Sequence, residues 1–290
     1  MRLVAAAACV LLGACAARPP APLAPSQATA VQPTAAMEAN RRGEASLRHG
    51  ELDSAALHYR EALRLSLAVE DANGIAANAV NLSIVYQRQG KYEEARASLS
   101  PLLEGATLSH APERRAQAAL RRAVLDLEER RHARASEWAE RAATWCSEPC
   151  ALAAAIRNVK GQLALEAGRL DEAAASARSA LAAGRAAGEV AEIANAQRLL
   201  GMTALAAGDG AAAHDRLREA LTIDRDLGMP RKIHLDLIGL GRASALRGER
   251  DLARAYYERA RVVSVADRDA AGAAEARALI DALGSTAGSR

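Results

Sequence analysis

Gly161-Gln-Leu-Ala-Leu-Glu-Ala-Gly168, Gly201-Met-Thr-Ala-Leu-Ala-Ala-Gly208 and Gly241-Arg-Ala-Ser-Ala-Leu-Arg-Gly248 are three readings of one phrase, and Gly43-Glu-Ala-Ser-Leu-Arg-His-Gly50 is a fourth. The second glycine of the phrase recurs at Gly50, Gly90, Gly168, Gly208 and Gly248, with Arg130 standing where a further one falls, in steps of 40, 40, 38, 40 and 40 residues. Self-similarity at such a period is the mark of a repeat architecture. Five residues after each of these positions lies Ala55, Ala95, Ala135, Ala173, Ala213 or Ala253.

Each unit reads as two antiparallel helices. In Val80-Asn-Leu-Ser-Ile-Val-Tyr-Gln-Arg-Gln-Gly90 the apolar Leu82, Val85 and Tyr86 fall at helical spacing, and Gly90 supplies a left-handed cap. A second helix starts near Glu93, whose charge suits a helix N-terminus. Asp53, Asp171 and Asp251 stand near the equivalent start elsewhere and are candidate N-caps. The glycine seven places before the cap and the alanine five places after it are expected where two helices cross most closely, which demands small side chains.

These residues resemble the tetratricopeptide repeat family: Leu82, Tyr86, Gly90, Tyr92 and Ala95 in the second unit, Gly43, Gly50, Ala55, Tyr59 and Ala62 in the first, and Leu240, Gly241, Gly248, Ala253, Tyr257 and Ala260 in the sixth. The usual repeat is 34 residues, so this one is similar to a long-helix variety. The resemblance implies an all-α, right-handed superhelical solenoid of about six hairpins over residues 37–263, closed by a capping helix over Ala270–Leu283 within a C-terminal segment, 264–290, that ends in a disordered tail. It also implies that the first helix of each hairpin lines a concave groove. Carried over, the groove positions are Asn40, Glu44, Arg48, Gln87, Arg88, Asn158, Gln162, Glu166, Asn195, Arg198, Met202 and Arg242, interleaved with Val80, Ile84, Leu120 and Val124. Such a mixture suits an extended peptide or a partner helix.

Composition agrees. Half of the 290 residues are apolar, Ala is abundant and Phe absent, which favours closely packed helices over a β-sandwich. A net charge of +3 and few aromatic side chains exclude the basic footprint and stacking platforms of a nucleic-acid binder. The basic stretch with Arg114, Arg115, Arg121, Arg122, Arg130, Arg131 and Arg134 reads as a solvated helix face or, less favoured, a contact for an acidic partner.

The N-terminus carries Arg2, an apolar run from Leu3 to Leu12 and then small residues, the layout of a secretory signal over 1–14 and too short to span a bilayer. Its end, Leu12-Gly13-Ala14-Cys15, resembles the lipobox of bacterial lipoproteins. That resemblance implies that Cys15 becomes the acylated first residue, and Ala16 after it points to the outer membrane, facing the periplasm. Residues 15–36, rich in Pro and Ala, read as a flexible tether. Cys146 and Cys150, in an exported protein, read first as a disulfide, with two free thiols, or a metal or redox role, as alternatives.

No catalytic signature, phosphate loop or zinc spacing is found, and Gly208-Asp209-Gly210 reads as an inter-helix turn. The sequence thus predicts a non-enzymatic scaffold or assembly factor of the cell envelope, without cofactor or metal, whose partners are envelope proteins or peptides. It resembles in organisation the pilotin-type and outer-membrane-assembly lipoproteins. A peptide or small-ligand sensor is the second reading, and a thiol-exchange enzyme at Cys146 and Cys150 the third.

Overall fold

The computed structural model describes residues 27–104 and 111–285. They form helices without strands, in six hairpins: α1 (Gln27–Arg48) with α2 (Leu52–Ala68); α3 (Ala72–Arg88) with α4 (Tyr92–Ala97) and α5 (Ser100–Leu103); α6 (Pro112–Glu128) with α7 (His132–Trp145); α8 (Ala153–Glu166) with α9 (Leu170–Ala187); α10 (Val190–Ala206) with α11 (Gly210–Asp226); and α12 (Pro230–Leu246) with α13 (Arg250–Ala266). α14 (Ala270–Ser285) packs on α13 as the expected terminal cap. The all-α repeat solenoid read from the sequence is the fold observed.

The forty-residue period is two units of twenty. Helices α10 to α13 are each 17 residues long, and the turns between them occupy three. The residue that ends each helix in the left-handed region falls at Gly168, Gly188, Gly208, Gly228, Gly248 and Arg268, twenty apart. At Gly208 (φ 81°) the glycine N–H donates to the Leu205 carbonyl at 3.0 Å, and the following Asp209 N–H to the Ala204 carbonyl at 2.9 Å, so two otherwise orphaned carbonyls are satisfied.

Arg130 repeats this geometry without being glycine: φ is 57°, its N–H donates to Leu127 and that of Arg131 to Asp126. A side chain in that conformation costs energy that glycine avoids, partly offset by the freedom glycine has when unfolded. Arg130→Gly is therefore expected to stabilise the protein by roughly 0.5–1 kcal/mol, read as a higher midpoint in urea. A lower midpoint would show that the Arg130 side chain makes a compensating contact.

Between helices the repeat is held by small residues. Ala55, Ala95, Ala135, Ala173, Ala213 and Ala253 are all completely buried. The paired glycines face large side chains: a Cβ on Gly43 would lie 2.9 Å from the Tyr59 ring, on Gly201 2.6 Å from Leu217, and on Gly241 2.3 Å from Tyr257. The close crossings anticipated from the glycine spacing are where they were placed.

Three expectations need correction. α1 starts at Gln27, so residues 27–36, assigned to the tether, are helical. Pro33 lacks only one N–H, and the Ala- and Gln-containing residues around it sustain the helix past that single lost bond. The signal segment, Cys15 and the tether up to residue 26 lie outside the described residues. Asp53, Asp171 and Asp251 are not N-caps: Glu51, Arg169 and Glu249 hold that place, and the aspartates sit inside the first turn. Side chains cap instead at Asp71, Asp209 and Asp269, which accept from Asn73, Ala212 and Gly272 N–H at 2.9–3.1 Å. The second helix of hairpin two is broken into α4 and α5, with Pro101 in the first turn of α5.

Candidate functional site: the inner face of the superhelix

The first helices of successive hairpins, α1, α3, α6, α8, α10 and α12, pack along one another, whereas the second helices pack chiefly on first helices. A stack that is tighter along one side curves towards it, so the first helices line the concave face. The curvature carries through a full turn. Arg88 at the end of α3 forms an ion pair with Asp267, just past α13, with the guanidinium nitrogen 3.6 Å from the carboxylate oxygen. Nearby, Arg231 at the start of α12 is close enough for its charge to act on the Tyr92 hydroxyl.

Most of the expected groove residues are engaged by side chains of neighbouring helices. Asn40 donates to the Asn78 side chain at 2.6 Å. Gln87 accepts from Arg121, and Asn158 donates to Glu192 at 2.8 Å. Gln162 donates to Glu166 at 3.0 Å, and Glu166 also meets the His132 ring at 2.7 Å. Asn195 accepts from Lys232 at 2.8 Å and from Arg198 at 3.0 Å. Arg242 pairs with Glu275 of the cap at 3.1 Å. Met202 is half-buried against the core of the last two hairpins. Glu44 and Arg48 are exposed on α1, flanking Tyr59, whose hydroxyl is pushed up to about 12 by burial first and then by Glu44, with Arg48 opposing.

The densest polar cluster joins the last hairpins. Arg198 of α10 donates through Nε to Asp236 of α12 at 2.7 Å and through its other arm to Asp224 of α11, both aspartates being fully buried. Burial pushes the Asp236 carboxyl up to about 7 against the pull of Arg198, and burial lowers Lys232 beside it. Asp224 Oδ1 has no hydrogen-bond partner among the described residues. Buried opposite charges arranged this way fix how two hairpins dock rather than offer a free surface.

Exposed apolar side chains on the first helices are a feature missed in the sequence. Leu235 and Leu246 of α12 are 50% and 51% exposed. Eleven residues apart, they fall on one face, and the same helical periodicity made them indistinguishable from core residues. Of the other named apolar positions, Leu120 is buried in the core, while Val80, Ile84 and Val124 are half-buried.

The basic stretch is mostly tied into packing. Arg121 is enclosed between α6 and α3, donates to the Ser83 hydroxyl at 2.7 Å, and is pulled down to about 10 by burial. Arg115 lies 4.0 Å over the Trp145 ring and Arg122 5.4 Å over Trp138, while Arg131 pairs with Glu93 at 3.2 Å. The expectation of a solvated face thus holds only for part of it, because Arg121 and Arg131 reach the second hairpin while Arg115 and Arg122 cover tryptophans of α7 in their own. Cys146 and Cys150 are joined as a disulfide, Cα atoms 5.3 Å apart, between α7 and α8. No group of three or more His, Cys, Asp or Glu among the described residues is placed to hold a metal ion. None of the described helices is long and apolar enough to cross a membrane.

No protein-family model matches the sequence, and no curated protein matches it. Solved structures do. The chain is similar to a Rap protein complexed with competence and sporulation factor, at 13% identity and a TM-score of 0.64, over 89% of this chain and 88% of that one. It is also similar to BtubC (BKLC) from P. vanneervenii, at 20% identity and a TM-score of 0.53, over 81% and 91% of the two chains. A tetratricopeptide repeat protein from Parabacteroides merdae matches at 16% identity with a TM-score of 0.48, over 87% and 94%. At these identities the likenesses to the Rap protein and BtubC show the fold alone, an all-α solenoid of helical hairpins.

Proposed function

We propose that the chain is a protein-interaction scaffold of the cell envelope, held to the outer membrane through acylated Cys15 and facing the periplasm, which takes an extended peptide or partner segment along its concave face. The observation that carries the binding part is that inner face: exposed Leu235, Arg242 and Leu246 on α12, with exposed Glu44 and Arg48 on α1. Apolar side chains supply contact area, and the charges select orientation. The compartment rests on the signal-like N-terminus and the lipobox-like Leu12-Gly13-Ala14-Cys15. A narrower role, as a pilotin-like or outer-membrane-assembly factor, rests on analogy of organisation alone.

A second reading, a peptide sensor, is favoured by two observations. The Rap structure is a complex with competence and sporulation factor, and in this chain Arg88 and Asp267 bring the second and sixth hairpins together around the inner face.

Affinity capture of the full-length protein from its own envelope after cross-linking, with Cys15→Ser as control, tests the scaffold. One envelope complex, lost or weakened when the anchor is removed, is the expected result. A capture that yields no protein partner contradicts it and moves the weight to the sensor.

A further inference from the structure

In a solenoid each repeat touches its neighbours, so the overall curvature is the sum of small rotations at each interface and is the softest coordinate of the fold. The Arg88–Asp267 ion pair acts on that coordinate directly. It skips hairpins three, four and five and joins residues 179 apart in sequence, where the turn between α3 and α4 meets the turn between α13 and α14. The two side chains are only 23% and 16% exposed, so the edges of the superhelix come together there rather than exchange a long-range attraction. Arg231 and Tyr92 add a second approach along the same seam, from the turn that starts the sixth hairpin.

We propose that Arg88 and Asp267 form a clasp that holds one turn of the superhelix shut, so that sideways access to the concave face depends on whether this contact is made. While it is made, an elongated ligand enters the inner face only from an end. When it is broken, the four interfaces between hairpins two and six relax and the face opens along its length. The proposal rests on the concave face being the binding surface only for its consequence for ligands, since the clasp itself is a statement about shape.

The test is resonance energy transfer within the full-length chain, with donor and acceptor on Lys91→Cys and Ala270→Cys in a Cys9→Ser, Cys15→Ser background, where Cys146 and Cys150 remain oxidised. Both labelled positions are exposed and flank the seam. The unaltered pair should show high transfer. Arg88→Glu should lower it markedly with helix content by circular dichroism unchanged, and the swap Arg88→Glu with Asp267→Arg should restore it. Transfer that ignores Arg88→Glu, or a swap that stays as low as the single variant, overturns the clasp. Failure of the envelope capture, with transfer responding as expected, counts against the scaffold reading alone.

Discussion

Arg198→Met is expected to destabilise the protein by about 3–5 kcal/mol near pH 8, and by much less near pH 5. Methionine matches the length of the arginine stem but leaves Asp224 and Asp236, both fully buried, without the one cation that bridges them. Removing one partner of a buried charge cluster is costly because the remaining charge cannot be resolvated. The pH dependence follows from the sign of the shift at Asp236. Its folded pKa of about 7 lies above the unfolded value of about 3.9, so the folded chain holds a proton that the unfolded chain has lost. Stability contributed by this group therefore falls as pH rises from about 4 to about 7, then levels off. Without Arg198, which favours the charged form, the folded pKa rises further and the decline continues above pH 7. Urea unfolding at pH 5 and pH 8 checks this, and an equal deficit at both would show that the protonation of Asp236 is not linked to Arg198. Adding Asp224→Leu and Asp236→Leu to the variant should recover most of the loss, because an apolar cluster of similar volume replaces an ionic one at little cost.

Gly241→Ala is the second large effect, and here two contributions oppose. Alanine is the better helix former by about 1 kcal/mol. Its Cβ would fall 2.3 Å from Cε1 of Tyr257, a ring that is buried among Leu237, Leu240 and Ala253 and cannot swing away. Overpacking of that kind costs typically about 1–3 kcal/mol, and a contact this short belongs at the upper end, so the clash wins. A net loss of about 1–2 kcal/mol, or about 2–4 °C of melting temperature per kcal/mol, is the expected result. Gly284→Ala is the control: it lies in α14 with nothing within 4 Å, and should be neutral or slightly stabilising. Tyr257→Leu in the Gly241→Ala background should restore part of the loss. If Gly241→Ala instead raises the melting temperature, helix propensity outweighs the close approach of α12 to α13.

The two variants probe the levels at which the sequence could and could not be read. The glycine phase at Gly50, Gly90, Gly168, Gly208 and Gly248 was legible because each position needs a left-handed backbone, a local requirement that leaves a local residue signature. The matching phase at Gly188 and Gly228 went unread because Glu70 and Arg268 occupy the same conformation in other hairpins and break the pattern. The polar wall was half legible. Asn40 with Asn78, Asn195 with Lys232, and Arg198 with Asp236 are complementary pairs one repeat apart, and a search for such pairs at the repeat spacing would have found them. Read singly, Asn40, Asn195 and Arg198 look like ligand contacts. The meeting of Arg88 with Asp267 has no sequence signal, because it depends on rotations accumulated over four interfaces.

The most direct test of a ligand-binding concave face is site-specific photo-crosslinking in the native cell, with a photoreactive phenylalanine analogue at Leu235 on the inner helix α12 or at Val262, 59% exposed, on α13. The account predicts a defined protein or peptide adduct at position 235 and none of the same mass at 262. An adduct confined to 262, or none at 235 while 262 reacts, would place the interaction on the outer helices and contradict it.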